Sequence, residues 1–239
     1  MKKVVVLIDG QNLYYNLKEM NIKEKDIDWT KFFNGILDTG EELIRAYWFR
    51  PQKILDSYFT SSNIKYQIVR KHYPNRLSYF PNDLENIPEP DKTSINDLSA
   101  DAEKWLRDEK RRFSQIEYNY DQLSLDHGNI EFVKTGIVKV NPYDKKYVGE
   151  KGVDISLAVK MISLSVQEKC DKIVLVSGDF DYAEAIKFVK DNMTKIDIVK
   201  LHKGTPPKNR SVSRDLAVLA DRMIDVYEVE LKNDYSVTN

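Results

Sequence analysis

The sequence predicts an α/β fold with a mostly parallel central sheet, on three observations. Continuous apolar, β-branched runs recur along the chain, as in VVVLI and KIVLV, and such runs are buried on both faces of a sheet. Residues at helical spacing follow the runs. Nothing between them reads as a hairpin turn, so the connections are right-handed crossovers between parallel strands.

Residues 4–8 form the first run, ended by Asp9-Gly10, and Leu13, Leu17 and Met20 then recur at helical spacing. Residues 29–37 predict a short second helix and residues 43–49 a second strand. Pro51 suits the first turn of a helix running through Tyr58 and Phe59. Residues 64–69 read as a third strand.

From about residue 71 to residue 128 the pattern breaks, with Pro74, Pro81, Pro88 and Pro90 in a polar stretch. This reads as an insertion in a single domain spanning residues 1–239. Its start is basic and aromatic, its middle acidic, and its end, residues 97–118, a charged helical pattern. Leu98, Ala102, Trp105, Leu106, Phe113 and Ile116 make a packing stripe on that helix. The helix either packs on the sheet or contacts a second copy in a homodimer, and intramolecular packing is preferred. The acidic stretch 82–96 reads as a lid, a partner site or a disordered segment.

Residues 130–140 have strand propensity, interrupted by Gly136. Then come a helix at 152–168, a strand at 172–176, a helix at 182–189 and a strand at 196–201. A final helix at 211–223 precedes an edge strand at 224–229.

Composition sets modest bounds. With 239 residues, 41% hydrophobic, the chain can bury a full core. The formal charge of −1 exerts no global pull on nucleic acid or membrane, so a polyanion site must come from local clusters of Lys and Arg. The single Cys170 excludes an intrachain disulfide framework, and the leading apolar run is too short for a signal peptide, which predicts a cytoplasmic protein. No apolar run is long enough to span a bilayer.

The chemistry lies in the acids. Asp9 and Asp179 end two apolar runs, Asp154 falls in a first helical turn, and Asp181 follows Asp179 by two residues. Each has a structural role open to it as a turn or helix cap. Adjacent strands lie about 4.8 Å apart, so their ends would bring the carboxylates together, where they repel unless a cation neutralises them. His72, His127 and His202 are scattered, which argues against zinc and for Mg²⁺ or Mn²⁺. Asn12 and Ser177 suit a bound water or a phosphate oxygen, or else turn and cap bonding. Asp221, beside Arg222, reads as a packing ion pair outside the site.

VVVLIDGQNLY, EKGVDISLAVKM, DKIVLVSGDFDY and LAVLADRMID, in that order, resemble the NYN domain, a PIN-like group of nucleases, and particularly its LabA-like bacterial branch. The resemblance covers the chain apart from the insertion. It implies a Rossmann-like sheet of order 3-2-1-4-5, helices on both faces, and a divalent-metal-dependent ribonuclease activity. The family's acidic positions carry over to Asp9, Asp154, Asp179 and Asp181, with Asn12 completing the first motif. Asp9 and Asp179 are then the principal metal ligands, Asp154 binds metal or orients the attacking water, and Asp181 completes an outer layer or a second ion. LabA-like sequences often carry an acid where this chain has Lys160. On an ideal helix Lys160 lies about 120° around from Asp154 and about 9 Å along it, outside any shared ligand set.

An RNA partner, single-stranded or structured, requires cations and aromatic faces. Three segments offer them: one with Arg70 and Lys71, one with Lys145, Lys146 and Lys151, and a loop with Lys203, Lys208 and Arg210 after the last core strand. Lys160 is a further phosphate contact or a solvated surface lysine. The expected activity is endoribonucleolytic hydrolysis by a metal-activated water. The alternative is a non-catalytic RNA-binding or regulatory module with a weakened metal site. A haloacid dehalogenase-type phosphohydrolase fails because Gln11 stands where its second Asp belongs. A dinucleotide-binding enzyme fails because DGQNLY is not a Gly-rich phosphate loop.

Overall fold

The computed structural model describes residues 1–55, 59–206 and 214–237. Its elements are β1 (Lys2–Asp9), α1 (Gly10–Glu19), α2 (Trp29–Ile36), β2 (Glu41–Arg50), β3 (Lys53–Ile54), α3 (Ser61–His72) and α4 (Asp91–Asp126). There follow β4 (Ile130–Lys134), β5 (Ile137–Asn141), β6 (Lys146–Lys151), α5 (Val153–Val166), β7 (Lys172–Val176) and α6 (Ala183–Asp191). The chain continues with β8 (Lys195–His202), α7 (Arg214–Leu219), β9 (Arg222–Tyr227) and α8 (Glu228–Asn233).

Two compact units divide the chain. The first comprises Met1–Arg50, Asp121–Thr135 and Gly152–Asn239, and carries a six-stranded sheet ordered β4-β2-β1-β7-β8-β9. Every pairing in that sheet is parallel. Counted along the chain the order is 3-2-1-4-5 with a sixth strand at the edge, so the direction of winding reverses between β1 and β7. That is the place where open α/β sheets bind ligands.

The burial of β1 shows why an unbroken apolar run was needed. Val4, Val6 and Ile8 enter one core with Leu13, Leu17, Trp29 and Trp48. Val5 and Leu7 enter the other with Leu157, Tyr182, Ile186 and Ile198. With period two, Asp9 falls on the Val5 and Leu7 side. Gly10 is required immediately after it, because a Cβ there would lie 2.4 Å from the carbonyl oxygen of Phe49.

The second unit comprises Pro51–Tyr120 and Gly136–Lys151, with a small sheet ordered β3-β5-β6. Residues 64–69 are here part of α3 and not the expected third strand. Ile64, Ile68 and Val69 are buried at helical spacing, and the Thr60 hydroxyl caps the helix by accepting from the Asn63 amide. The third strand of the large sheet is therefore β4. Nor does a helix follow Pro51: Lys53–Ile54 pairs with β5, and Tyr58 lies outside the described residues.

The expected strand at 130–140 is two strands in two sheets, separated at Gly136, whose φ of 67° favours glycine. The charged helix is longer than the expected 97–118 span. It buries Ile95, Ser99, Ala102, Leu106 and Glu109, whereas Leu98 and Ile116 are exposed. The acidic stretch before it forms a 3-10 turn at Leu84–Asn86 and the opening of α4. The expected final helix at 211–223 is shorter, with residues 211–213 outside the described ones and β9 starting at Arg222. Among the described residues no helix is long and apolar enough to cross a membrane.

Candidate active site

Asp9, at the carboxyl end of β1, is 3% exposed and fully engaged. Its Oδ1 accepts from the Asn12 amide at 3.0 Å, which caps α1. Its Oδ2 accepts from the Ser177 hydroxyl at 2.9 Å and from the Tyr182 hydroxyl at 3.2 Å. Ser177 follows β7 directly, so the contact crosses the switch point between the two central strands.

The loop after β7 is tied down by its own polar groups. Ser177 Oγ accepts from the Asp179 amide at 3.1 Å, and Asp179 Oδ1 accepts from the Asp181 amide at 3.0 Å, opening the 3-10 turn Phe180–Tyr182. Asn12 Oδ1 accepts from the Gly178 amide at 3.2 Å, joining the start of α1 to the same loop.

Asp154 reaches the site from the first turn of α5, entered through Gly152 in the left-handed conformation at φ 89°. The Tyr182 hydroxyl lies 3.2 Å from Asp154 Oδ1. Burial and the neighbouring charges of Asp9, Asp179 and Asp181 hold the Asp154 carboxyl above the usual carboxylate range, opposed by the Tyr182 hydrogen bond. Burial, with the neighbouring charges of Asp9 and Asp154, pushes the Tyr182 phenol far up, so it stays a neutral donor. Among the described residues no Lys or Arg pairs with any of these four aspartates.

The structure thus brings Asp9, Asn12, Asp154, Ser177, Asp179 and Asp181 to one edge of the first unit. Tyr182 joins them and was missed in the sequence, where it reads as the first residue of an amphipathic helix. Its signal was a polar-tipped aromatic directly after the two acids. Asp221 stays outside, as expected, but its partners are Lys190 at 3.2 Å and the Ile196 amide at 2.8 Å; Arg222 instead pairs with Asp38 and Asp197.

The donors are all oxygen, which suits a hard cation such as Mg²⁺ and not zinc. Among the described residues no three His, Cys, Asp or Glu side chains stand close enough to ligate one ion together. Mg²⁺ usually keeps several waters and takes only one or two carboxylates, so these side chains would hold it in part through water.

The expected cationic contacts divide between the units. In the first, Lys160 lies 3.9 Å from the centroid of the Tyr47 ring, and exposed Lys203 follows β8 on the same sheet edge as the acids. Lys208 and Arg210 lie outside the described residues. In the second, Arg70 and Lys71 sit in the last turn of α3 and not at a strand end. Lys71 pairs with Asp144 at 3.1 Å and lies 4.6 Å from the Tyr143 centroid; the Asp144 carboxylate and Tyr143 push its ammonium above the usual lysine range. Lys145 pairs with Asp101 at 2.6 Å and Lys146 with Asp144 at 3.6 Å, whereas Lys151 is exposed at the end of β6.

A parallel sheet with carboxylates gathered at its switch point defines a class of open α/β protein whose ligand edge is acidic. A family model of the NYN domain matches residues 82–228, more than half of the chain, and the protein belongs to that family, whose fold is that of PIN-like nucleases. The matched segment contains Asp154, Asp179 and Asp181 and starts after Asp9 and Asn12. The chain is also similar to a crystal structure of a protein of unknown function from Vibrio parahaemolyticus, at 16% identity over 99% of this chain and 96% of that one, with a TM-score of 0.48. No curated protein matches the chain.

Proposed function

We propose that the protein is a divalent-metal-dependent ribonuclease that hydrolyses phosphodiester bonds endonucleolytically, on the LabA-like side of the NYN family. The observation that carries this reading is the set of four aspartates at one sheet edge, mutually repelling and without a described cationic partner. Asp9 and Asp179 would hold Mg²⁺ or Mn²⁺, with Asp181 beside them. The bound ion would supply an activated water and offset charge on the phosphate. Asp154 Oδ2, the oxygen not engaged by Tyr182, would accept a proton from a water attacking the phosphorus, its carboxyl being held above the usual carboxylate range. Asn12 and Ser177 hold the site in register and Lys203 contacts the RNA backbone beside them; Arg70 and Lys151 are separate candidate contacts on the second unit. Such a protein works in the cytoplasm.

A second reading is a non-catalytic RNA-binding module. It is favoured by the engagement of Asp9, which already accepts three hydrogen bonds of the roughly four a carboxylate can take, and by Lys160 lying over Tyr47 in place of a further acid.

Cleavage of labelled single-stranded and hairpin RNA with Mn²⁺, Mg²⁺ or EDTA separates the two. Metal-dependent cutting that disappears in Asp9→Asn and in Asp179→Asn supports the nuclease. Cutting retained in both variants would overturn it, and metal-independent binding without turnover supports the module.

A further inference from the structure

Beside the Ser177-Gly178 turn, α1 and the ends of β7 and β8 line an open cleft of about 170 Å³. Leu13, Val199 and Leu201 supply apolar wall, and Asn12, Asn16 and Lys200 supply the polar groups. We propose that this cleft is a subsite for one unpaired pyrimidine base of a strand whose phosphate lies at the aspartates. The identity of that strand as RNA rests on the nuclease reading; the recognition of the base does not.

The polar edge is already oriented. Asn12 Oδ1 accepts from the Gly178 amide at 3.2 Å and from Asn16 Nδ2 at 2.9 Å, which leaves the Asn12 Nδ2 hydrogens to donate. Asn16 Nδ2 also donates to the Asn12 carbonyl at 2.7 Å, which leaves Asn16 Oδ1 to accept. The two amides therefore offer one donor and one acceptor, four residues apart on one helix face, beside the Lys200 ammonium as a further donor. Uracil matches with O4 accepting and N3–H donating, and cytosine with N3 accepting and its amino group donating. Both use the Watson–Crick edge, so the base must be unpaired.

Size makes the choice between ring systems. A cavity of about 150 Å³ admits one six-membered ring. A cleft of about 170 Å³ takes a pyrimidine and leaves a purine partly outside. The cleft also adjoins the acids covalently and by hydrogen bonds, since Asn12 donates its amide to Asp9 and its neighbour in the cleft, Ser177, donates to the same carboxylate.

The test is binding of labelled ten-nucleotide oligo(U), oligo(C), oligo(A) and a uridine–adenosine duplex to the full chain in EDTA, read by fluorescence anisotropy. The variants are Asn16→Ala and Gly178→Leu. A Cβ at Gly178 meets nothing within 4 Å, so the added side chain is accommodated at the cleft mouth without disturbing the fold. The expected result is oligo(U) and oligo(C) binding about tenfold tighter than oligo(A) or duplex, with the preference abolished in both variants. Equal affinity for oligo(A) or duplex, or a preference that survives in Asn16→Ala, would overturn the subsite. Because cleavage is not read, a pyrimidine preference in a protein that never cuts RNA would uphold the subsite and sink the nuclease; cutting without the preference would do the reverse.

Discussion

Asp9 and Asp154, 145 positions apart in the chain, are bridged by a single hydroxyl: Tyr182 OH lies 3.2 Å from Asp9 Oδ2 and 3.2 Å from Asp154 Oδ1. One proton cannot satisfy both acceptors at once, so the bridge holds two carboxylates together with less than full compensation. Its three side chains come from the end of β1, the start of α5 and the turn before α6.

Tyr182→Phe removes that bridge while keeping the ring in its core. The expected loss is about 1 kcal/mol of stability, measured by chemical denaturation. The hydrogen bond favours the ionised form of Asp154, so removing it raises the carboxyl further. If Asp154 is the base, the acid limb of the cleavage profile moves to higher pH in Tyr182→Phe. An unmoved limb would take Asp154 out of that role.

Asp154→Asn tests the repulsion directly. The folded-state pKa of Asp154 is raised above 3.8, so its contribution favours folding below that value and is lost as pH rises through the folded pKa. At neutral pH the ionised group opposes folding, and Asp154→Asn should raise the melting temperature in EDTA by a few degrees. The gain should fade as pH falls below the folded pKa. Added Mg²⁺ should raise the melting temperature of the wild type more than that of the variant.

At the opposite edge of the same sheet, the Lys172 ammonium is buried between Glu41 at 2.6 Å and Asp197 at 2.9 Å, and Arg222 also reaches Asp197. Lys172→Met leaves Glu41 a buried, uncompensated charge. The expected cost is about 3 kcal/mol in urea denaturation, with cleavage unchanged under folding conditions.

Burial pushes the Cys170 thiol up to about 11. At pH 8 almost none of it is thiolate, so iodoacetamide should modify the native chain far more slowly than the urea-unfolded chain, whose thiol ionises near 9.0. Equal rates would place Cys170 in a more open environment.

Much of the site was readable as sequence because its residues end or cap elements. Asp9 and Asp179 were read both as caps and as site acids, and their geometry has both aspects: each accepts a backbone amide and each stands at the sheet edge. The pairing of β1 with β7 could be anticipated from two apolar runs of similar length. The β-branched stretch at residues 64–69 misled, since Ile and Val are equally at home in a strand and on a helix face buried against Ile87, Ile95 and Ala102. The basic segments misled differently. Their charge was visible, but the acids that hold Lys71, Lys145 and Lys146 are in part more than forty residues away.

By itself, the sequence determined the mostly parallel sheet and that two of its apolar runs stop on Asp9 and Asp179, whereas the strand order 3-2-1-4-5 and the places of Asp154 and Asp181 came from the resemblance to the NYN domain. The first two follow from period, from where apolar runs stop and from the handedness of crossovers, all local properties of the chain. Only the tertiary structure decided that Tyr182 bridges two of those acids, that Asn12 and Asn16 line one cleft with Val199, Lys200 and Leu201, and that β4 is the third strand of the large sheet. Each of these depends on which distant groups compete for the same hydrogen bond or the same buried surface, and that competition is settled only when the chain is packed.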